Sequence, residues 1–329
     1  METQDGAELC FPQLFNTSCK KPSSPTTQDI ILYTVMSCFS LLIVALNLLV
    51  IISVAHFRRL HTPTNILLLS LAVSDFLVGI VIWPGEVFML TNCWFLGNLT
   101  CVIFSFVSLI ISFSSVGNMV LISIDRYVAI CDPLHYPTRI TVSRVKLCVC
   151  MCWLCSILYN SLIVKENLTH PGRYNSCHGE CVIVINYISG FIDLVLTFIF
   201  PITVIIVLYM RVFVVAVSQA RAMRSHITGV TLQLSATQTT KKSELKAART
   251  LGVLVVVFLI CFCPYYIFSV AGDNSYASPA GLFVLSIFFL NSCANPVIYA
   301  LFYPWFRKAV KLIVTAQILQ RGSFEANIL

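Results

Sequence analysis

Asp193 is the only acidic residue in the stretch Val182–Val214, which is otherwise almost entirely apolar. A carboxylate in such surroundings is costly, and no Lys or Arg lies in the interior of any apolar block to pair with it. It is therefore either protonated or open to a cation that comes from elsewhere. Asn186, Ser189, Asp193 and Thr197 follow at spacings of 3, 4 and 4, and Ser105, Ser108, Ser112 and Ser115 at 3, 4 and 3. Each set forms one stripe along a helix. Two polar stripes on apolar helices predict a shared wet cavity; helix-to-helix hydrogen bonding is the competing explanation.

A second constellation is rich in oxygen. Asp75, Ser115, Asn291, Ser292 and Asn295 bring carboxylate, hydroxyl and amide oxygens from three apolar blocks. Oxygen donors suit a hard cation, so a sodium ion or a water cluster near Asp75 is the expected occupant. The thiols of Cys148, Cys150, Cys152 and Cys155 are spaced so that a helix scatters them around its axis. They are expected to act as small apolar side chains, with no metal site. Ser-His-Asp, metal-ligand and phosphate-loop patterns are absent, which argues against an enzyme and against a resident cofactor.

The elements that carry these residues follow from composition. The chain has 329 residues, 58% of them hydrophobic and 11% charged, with a mean hydropathy of +0.87. Soluble domains carry about 25% charged residues. The apolar residues come in seven blocks, Ile30–Ser53, Asn65–Leu90, Cys101–Ile122, Val145–Val164, Val182–Val214, Ala247–Val270 and Ala280–Phe302. A helix needs about 20 residues to cross a bilayer. The expected fold is thus an all-α membrane protein, a seven-transmembrane helix bundle over residues 30–303. Residues 1–29 form an extracellular N-terminal segment, and residues 304–329 a short amphipathic helix (Pro304–Val314) and cytoplasmic tail; Lys308 and Lys311 with Phe306 and Ile313 fit a helix lying on the membrane surface. Pro84, Pro201, Pro264 and Pro296 fall inside spans, where each removes a backbone donor and permits a bend.

Orientation comes from the cations. With the N-terminus outside, Lys20, Lys21, Lys165 and Arg173 are the only external Lys or Arg; the other 17 of the 21 lie inside, many of them in Arg211–Arg249. Cationic flanks stay cytoplasmic. The formal charge of +7 is therefore a two-sided pattern, and nucleic acid is not an expected partner. The acceptor sequons at Asn16 and Asn167 fall on the predicted outside. A transporter would show internal repeats or several intramembrane charges, and neither is present. A retinal receptor needs a seventh-span Lys, and none lies between Leu251 and Trp305.

Asn47, Leu71-Ala72-Val73-Ser74-Asp75, Asp125-Arg126-Tyr127, Trp153, Pro201, Phe258 with Pro264, and Asn295-Pro296-Val297-Ile298-Tyr299 occur in order along the seven blocks. This set resembles the rhodopsin-like G protein-coupled receptors. Asn291–Pro296 followed by Phe302–Lys308, with Cys19, Cys177 and Cys181, resembles the trace amine-associated receptors within that family. The resemblance implies bridges Cys101–Cys181 and Cys19–Cys177, and it leaves Cys10 and Cys93 unassigned. It also implies a switch built on Asp125, Arg126, Tyr127, Phe258, Pro264 and Tyr299 that faces a heterotrimeric G protein. A stimulatory, cAMP-raising G protein, the plasma membrane and olfactory sensory neurons are implied by the family alone.

One departure is informative. Aminergic receptors hold an ammonium with a third-span Asp eighteen residues before the Arg of Asp-Arg-Tyr; here that position is Ser108. The exchange resembles the branch of trace amine receptors that carries the carboxylate on the fifth span, here Asp193. The expected ligand is a small amine, held by Asp193 with Ser108, Ser112 and Thr197 and resting on Phe262, Tyr265, Tyr266 and Phe289. The alternative is a receptor for a non-amine ligand in which Asp193 is protonated and structural.

Overall fold

The computed structural model describes residues 8–22, 26–227, 235–270, 279–320 and 322–326. Twelve α-helices lie among them: α1 (Thr27–His56), α2 (Pro63–Leu77), α3 (Trp83–Thr91), α4 (Asn98–Cys131), α5 (Tyr136–Arg139), α6 (Val142–Ile163), α7 (Lys165–Thr169), α8 (Tyr187–Leu194), α9 (Phe200–Ile227), α10 (Ser235–Val270), α11 (Pro279–Phe302) and α12 (Pro304–Val314). Spans one, three, four, six and seven are α1, α4, α6, α10 and α11. Spans two and five are each two helices, α2 with α3 and α8 with α9. Six spans are long and apolar enough to cross a membrane, and α10 contributes a shorter apolar stretch, Val255–Val270. The only β pairings among the described residues are two isolated bridges, Leu9 with Lys20 and Ser18 with His178.

Spans two and five are interrupted by π-helical turns, Val78–Ile82 and Val195–Ile199. Each turn ends two residues before a proline, Pro84 or Pro201. A proline cannot donate to the carbonyl of the preceding turn, and a widened turn accommodates the loss. The bends expected at these prolines thus take the form of π-turns. α8 begins only at Tyr187 and is capped by Asn186, whose side chain accepts from the Ser189 amide at 2.8 Å. This corrects the stripe read from sequence, because Asn186 ends the loop and does not project from the helix. A short polar side chain is stabilised at an N-cap by the otherwise unpaired first amides.

α4 runs through the bundle against α2, α6 and α9, while α11 packs on α10 and α1. The core joins Leu68 and Leu71 of α2, Met119 and Ile122 of α4, Phe258 and Phe262 of α10 and Tyr299 of α11. α12 turns off the end of α11 and packs on α1, burying Trp305, Phe306 and Ala309. Phe306, expected to face a membrane surface with Ile313, instead lies in the core at 2% exposure; the bundle offers its ring a denser apolar contact than the helix's outer side. Lys311 is exposed. Beyond α12 the chain folds back on the first interhelical loop, with Arg58 4.9 Å from the Phe324 ring and His56 Nε2 2.9 Å from Ser323 Oγ. Side chains 219–251, which hold most of the basic Arg211–Arg249 segment, lie outside the described residues.

Candidate ligand-binding site

Three disulfides gather one end of the bundle. Cys101 at the start of α4 joins Cys181, Cys19 joins Cys177, and Cys10 joins Cys93 just after α3. The third bridge answers a pairing that sequence left open. Gly179, at φ +113°, lets the loop pass the Cys10 side chain, and its carbonyl accepts from the Trp94 amide at 2.8 Å. A Cβ at Gly179 would lie 2.9 Å from Cys10 Cβ, so a glycine is required there. Asn16 is exposed on this N-terminal segment. Asn167 is 3% exposed and donates its amide to the Val184 carbonyl at 3.1 Å. The expectation of a glycan on Asn167 is corrected accordingly, because its nitrogen is engaged inside the fold.

Asp193 lies two residues before the π-turn of span five and is half-buried. The Tyr159 hydroxyl of α6 donates to its Oδ1 at 3.1 Å. The Thr197 side chain is a second hydrogen-bond partner of this carboxylate, and no cation pairs with it among the described residues. The Thr197 hydroxyl donates to the Asp193 carbonyl at 2.7 Å and accepts from the Tyr266 hydroxyl of α10 at 3.1 Å. Tyr159, Asp193, Thr197 and Tyr266 thus tie spans four, five and six together. Ser108, which stands where an acid is missing, donates to its own helix at the Phe104 carbonyl, 2.9 Å away. Ser105 does likewise to the Cys101 carbonyl at 3.1 Å. Ser112 is half-buried one turn further along α4.

The expected aromatic residues form a continuous wall with one addition. Phe288 lies 4.6 Å from both Phe262 and Tyr265, and Tyr265 lies 5.3 Å from Tyr266. Phe289 meets Trp83 of α3 edge-on at 4.8 Å and Phe288 at 5.4 Å. Phe262 and Phe289 are buried, while Tyr265 and Tyr266 are partly open. Tyr159, Phe288 and Trp83 were not foreseen. A tyrosine or phenylalanine in an apolar span gives no signal of its own until the facing helix is placed.

Further along the bundle Asp75 is fully buried, accepting from Ser292 Oγ at 2.9 Å and Asn295 Nδ2 at 2.8 Å. Asn47 donates to the Ser292 carbonyl at 2.9 Å. Asn291 Oδ1, Asn295 Oδ1 and the Tyr299 hydroxyl are buried without partners, and Ser115 of α4 is also buried. Buried polar atoms seldom stay unpaired. This donor set therefore fits a hard cation or ordered water.

At the opposite end from the disulfides, Arg126 Nε donates to Asp125 Oδ2 at 2.8 Å. Thr64 and Tyr136 donate to the same carboxylate at 2.9 and 2.8 Å, and Arg126 also reaches Thr64. Burial first, and then the Asp125 charge, hold the Tyr136 hydroxyl above its ordinary pKa, so it remains a donor. Tyr127 is half-buried beside this cluster. Phe258 stacks on Phe262 at 4.1 Å, six and two residues before Pro264 in the same helix. That stack connects the aromatic wall to the middle of α10.

A family profile described as "7 transmembrane receptor (rhodopsin family)" matches residues 46–299. The chain is 38% identical to trace amine-associated receptor 8b of Mus musculus over 98% of its own length and 96% of that protein. It is 39% identical to trace amine-associated receptor 8a of Rattus norvegicus over the same shares. It is 35% identical to trace amine-associated receptor 13c of Danio rerio, over 98% of the chain and 97% of that receptor. These relatives are multi-pass receptors and not enzymes, and the four span prolines and the Asp-Arg-Tyr cluster described above fall within the matched region. The chain belongs to the rhodopsin family of seven-transmembrane, G protein-coupled receptors and, within it, to the trace amine-associated receptors.

Proposed function

We propose that this chain detects small volatile or biogenic amines and that Asp193 pairs with the ligand's ammonium. The observation that carries the reading is a half-buried carboxylate with hydroxyl partners and no cation beside it among the described residues. An unpaired charge inside a membrane bundle is expensive, and a protonated amine offsets that cost. Ser108 cannot supply the charge, and the relatives carry trace amine in their names. The partly open faces of Tyr265 and Tyr266 suit the ligand's ammonium or its alkyl groups, by about 0.5–2 kcal/mol per cation–ring contact. Ser112 and Thr197 are within the same region for a ligand hydroxyl or a bridging water.

Binding signals only if it favours one arrangement over another. The Asp193–Thr197–Tyr266 link gives span five a grip on span six, and the Phe258–Phe262 stack continues it toward Pro264. Movement of α10 at Pro264 then releases Arg126 from Asp125 to meet the G protein. We assign a stimulatory G protein and a rise in cAMP. The N-terminus and the three disulfides face the outside of the plasma membrane, where Asn16 carries a glycan, and olfactory sensory neurons are the expected cells. A sodium ion or water cluster held by Asp75, Ser115, Asn291, Ser292 and Asn295 steadies the resting state.

The test is a panel of amines applied to the intact receptor with cAMP as readout, beside Asp193→Asn and Ser108→Asp. Asp193→Asn is expected to abolish the amine response at equal surface level, and full retained sensitivity would overturn the reading. Ser108→Asp is expected to redirect amine preference.

A further inference from the structure

A cavity between the disulfide-capped ends of spans four and five has no part in the mechanism above. It holds about 410 Å³, and Ile163, Lys165, Asn167, His170, Val184 and Ser189 are among the residues that line it. The apolar stretches of the two spans are Val142–Ile163 and Tyr187–Val215. The cavity therefore sits where a bilayer passes from hydrocarbon to headgroups. Ile163 follows Tyr159 by four residues on α6, and Ser189 precedes Asp193 by four on α8. The cavity thus stands one helical turn nearer the disulfides than the Tyr159–Asp193 bond. The Asn167 amide, bonded to the Val184 carbonyl at 3.1 Å, fixes its wall without any occupant.

Its charges do not balance. Arg173 and Glu166 also line it, but they satisfy each other at 3.1 Å, and the Tyr174 hydroxyl donates to the same Glu166 oxygen at 2.8 Å. The Lys165 ammonium has no hydrogen bond or ion pair among the described residues. Lys165 lies two residues past the end of an apolar span, and a long cationic side chain in that position reaches the membrane interface. Toward the hydrocarbon the surroundings turn apolar. Leu162 lines the cavity, and Leu158 lies one turn along from it; both are exposed, so an apolar track runs from the cavity along span four. A free ammonium above an apolar track is complementary to a molecule with one anionic end and one hydrocarbon chain.

We propose that this cavity binds a fatty acid from the membrane, with its carboxylate on Lys165 and its chain along Leu162 and Leu158. One free ammonium matches one negative charge. The volume lies within the range of about 300–1,000 Å³ that takes a single small ligand. The occupant closes the seam between spans four and five beside the bond that orients Asp193. The assignment does not depend on what Asp193 itself holds.

The experiment uses the full-length receptor in phosphatidylcholine nanodiscs and a palmitate analogue bearing a photoreactive group. Labelling is expected to saturate and to fall on the peptides that line the cavity. Unlabelled palmitate should compete at a concentration about 10-fold or more below hexadecanol, which has the same chain and no charge; that is the gain expected of one charge-assisted contact. Acetate, which has the charge and no chain, should not compete. Lys165→Gln should bring palmitate and hexadecanol to equal potency, and Lys165→Arg should keep them apart. Ile163→Trp, which fills the cavity, should lower labelling at every concentration; it decides the matter if Lys165→Gln is not recovered folded. Equal competition by palmitate and hexadecanol in the wild type overturns the inference, and so does unchanged labelling of Ile163→Trp. Competition by acetate at the palmitate concentration removes the role of the chain. A lysophosphatidate of the same chain that competes better than palmitate overturns the assignment to a carboxylate.

Discussion

The Tyr159 hydroxyl donates to Asp193 Oδ1 at 3.1 Å, so the fourth span holds the carboxylate that the fifth span supplies. Tyr159 also packs its ring on Phe113 of α4 at 5.1 Å, which fixes the direction from which the hydroxyl approaches. The carboxylate is thereby oriented before any ligand arrives, and an oriented partner loses less entropy on binding.

Tyr159→Phe should therefore weaken amine detection without removing it. The ring and its packing survive, and only the hydrogen bond to a charged group is lost. Such bonds contribute about 1.5–3 kcal/mol, so the half-maximal concentration is expected to rise about 10-fold or more. Dose–response curves at matched surface level check this, with Asp193→Asn as the silent reference. An unchanged curve would show that Tyr159 does not position the anchor.

Tyr266→Phe cuts the 3.1 Å bond to Thr197 and leaves the ring's stacking on Phe198 of span five at 4.3 Å, so only the hydrogen-bonded tie between spans five and six is lost. A neutral bond of this kind contributes about 1 kcal/mol, equivalent to roughly a 5-fold change in an equilibrium. The expected outcome is a lower maximal response with a smaller change in the concentration that gives half of it. A pure shift in potency would place Tyr266 in ligand contact only.

At the other end of α4, Tyr136→Phe removes one of the donors that hold Asp125. The carboxylate keeps Thr64 and Arg126, so the resting state is loosened and not lost. Signalling without ligand should rise several-fold, in line with about 1 kcal/mol or more withdrawn from the resting arrangement. Basal cAMP, normalised to surface receptor, is the measurement.

The bridge between Cys10 and Cys93 closes a loop of sequence separation 83. Loops of that size are stabilised by about 4 kcal/mol in the chain-entropy account, and measured values are commonly 2–4. Cys10→Ser, Cys93→Ser and the double variant should lower thermal stability in detergent by the same amount, because each removes the same bond. Unequal losses would mean that one of the thiols has another role.

Much of this site could be read from composition and spacing. A bilayer penalises polar groups so heavily that Asp75, Asp193 and Asn295 stand out from their surroundings without any structure. Helical period then assigns residues to one face of their own helix, but it says nothing about which neighbour they meet. That is why Tyr159 passed unnoticed 34 residues from Asp193, and why Phe288, next to the expected Phe289, proved to be the ring that joins Phe262 to Tyr265. Asn186 was misassigned because an N-cap and a helix-face residue share the same spacing. Phe306 was placed against lipid because amphipathic spacing marks an apolar face without saying whether membrane or protein covers it. The Cys10–Cys93 pair was undecidable from sequence, since it depends on how a polar segment folds over the end of the bundle.

The three bridges also bear on how the receptor must be made. Each joins parts of the chain that leave the ribosome far apart in time, with separations of 83, 158 and 80 residues. None can close until a partner from a later stretch has been delivered to the same oxidising compartment. A chain inserted into membranes under reducing conditions would keep its helices, since none of these bonds lies within the apolar bundle. It would lack the covalent collar that pins residues 9–20 across the loops. Functional production should therefore track the oxidising capacity of the host's secretory route more closely than its capacity to insert membrane helices.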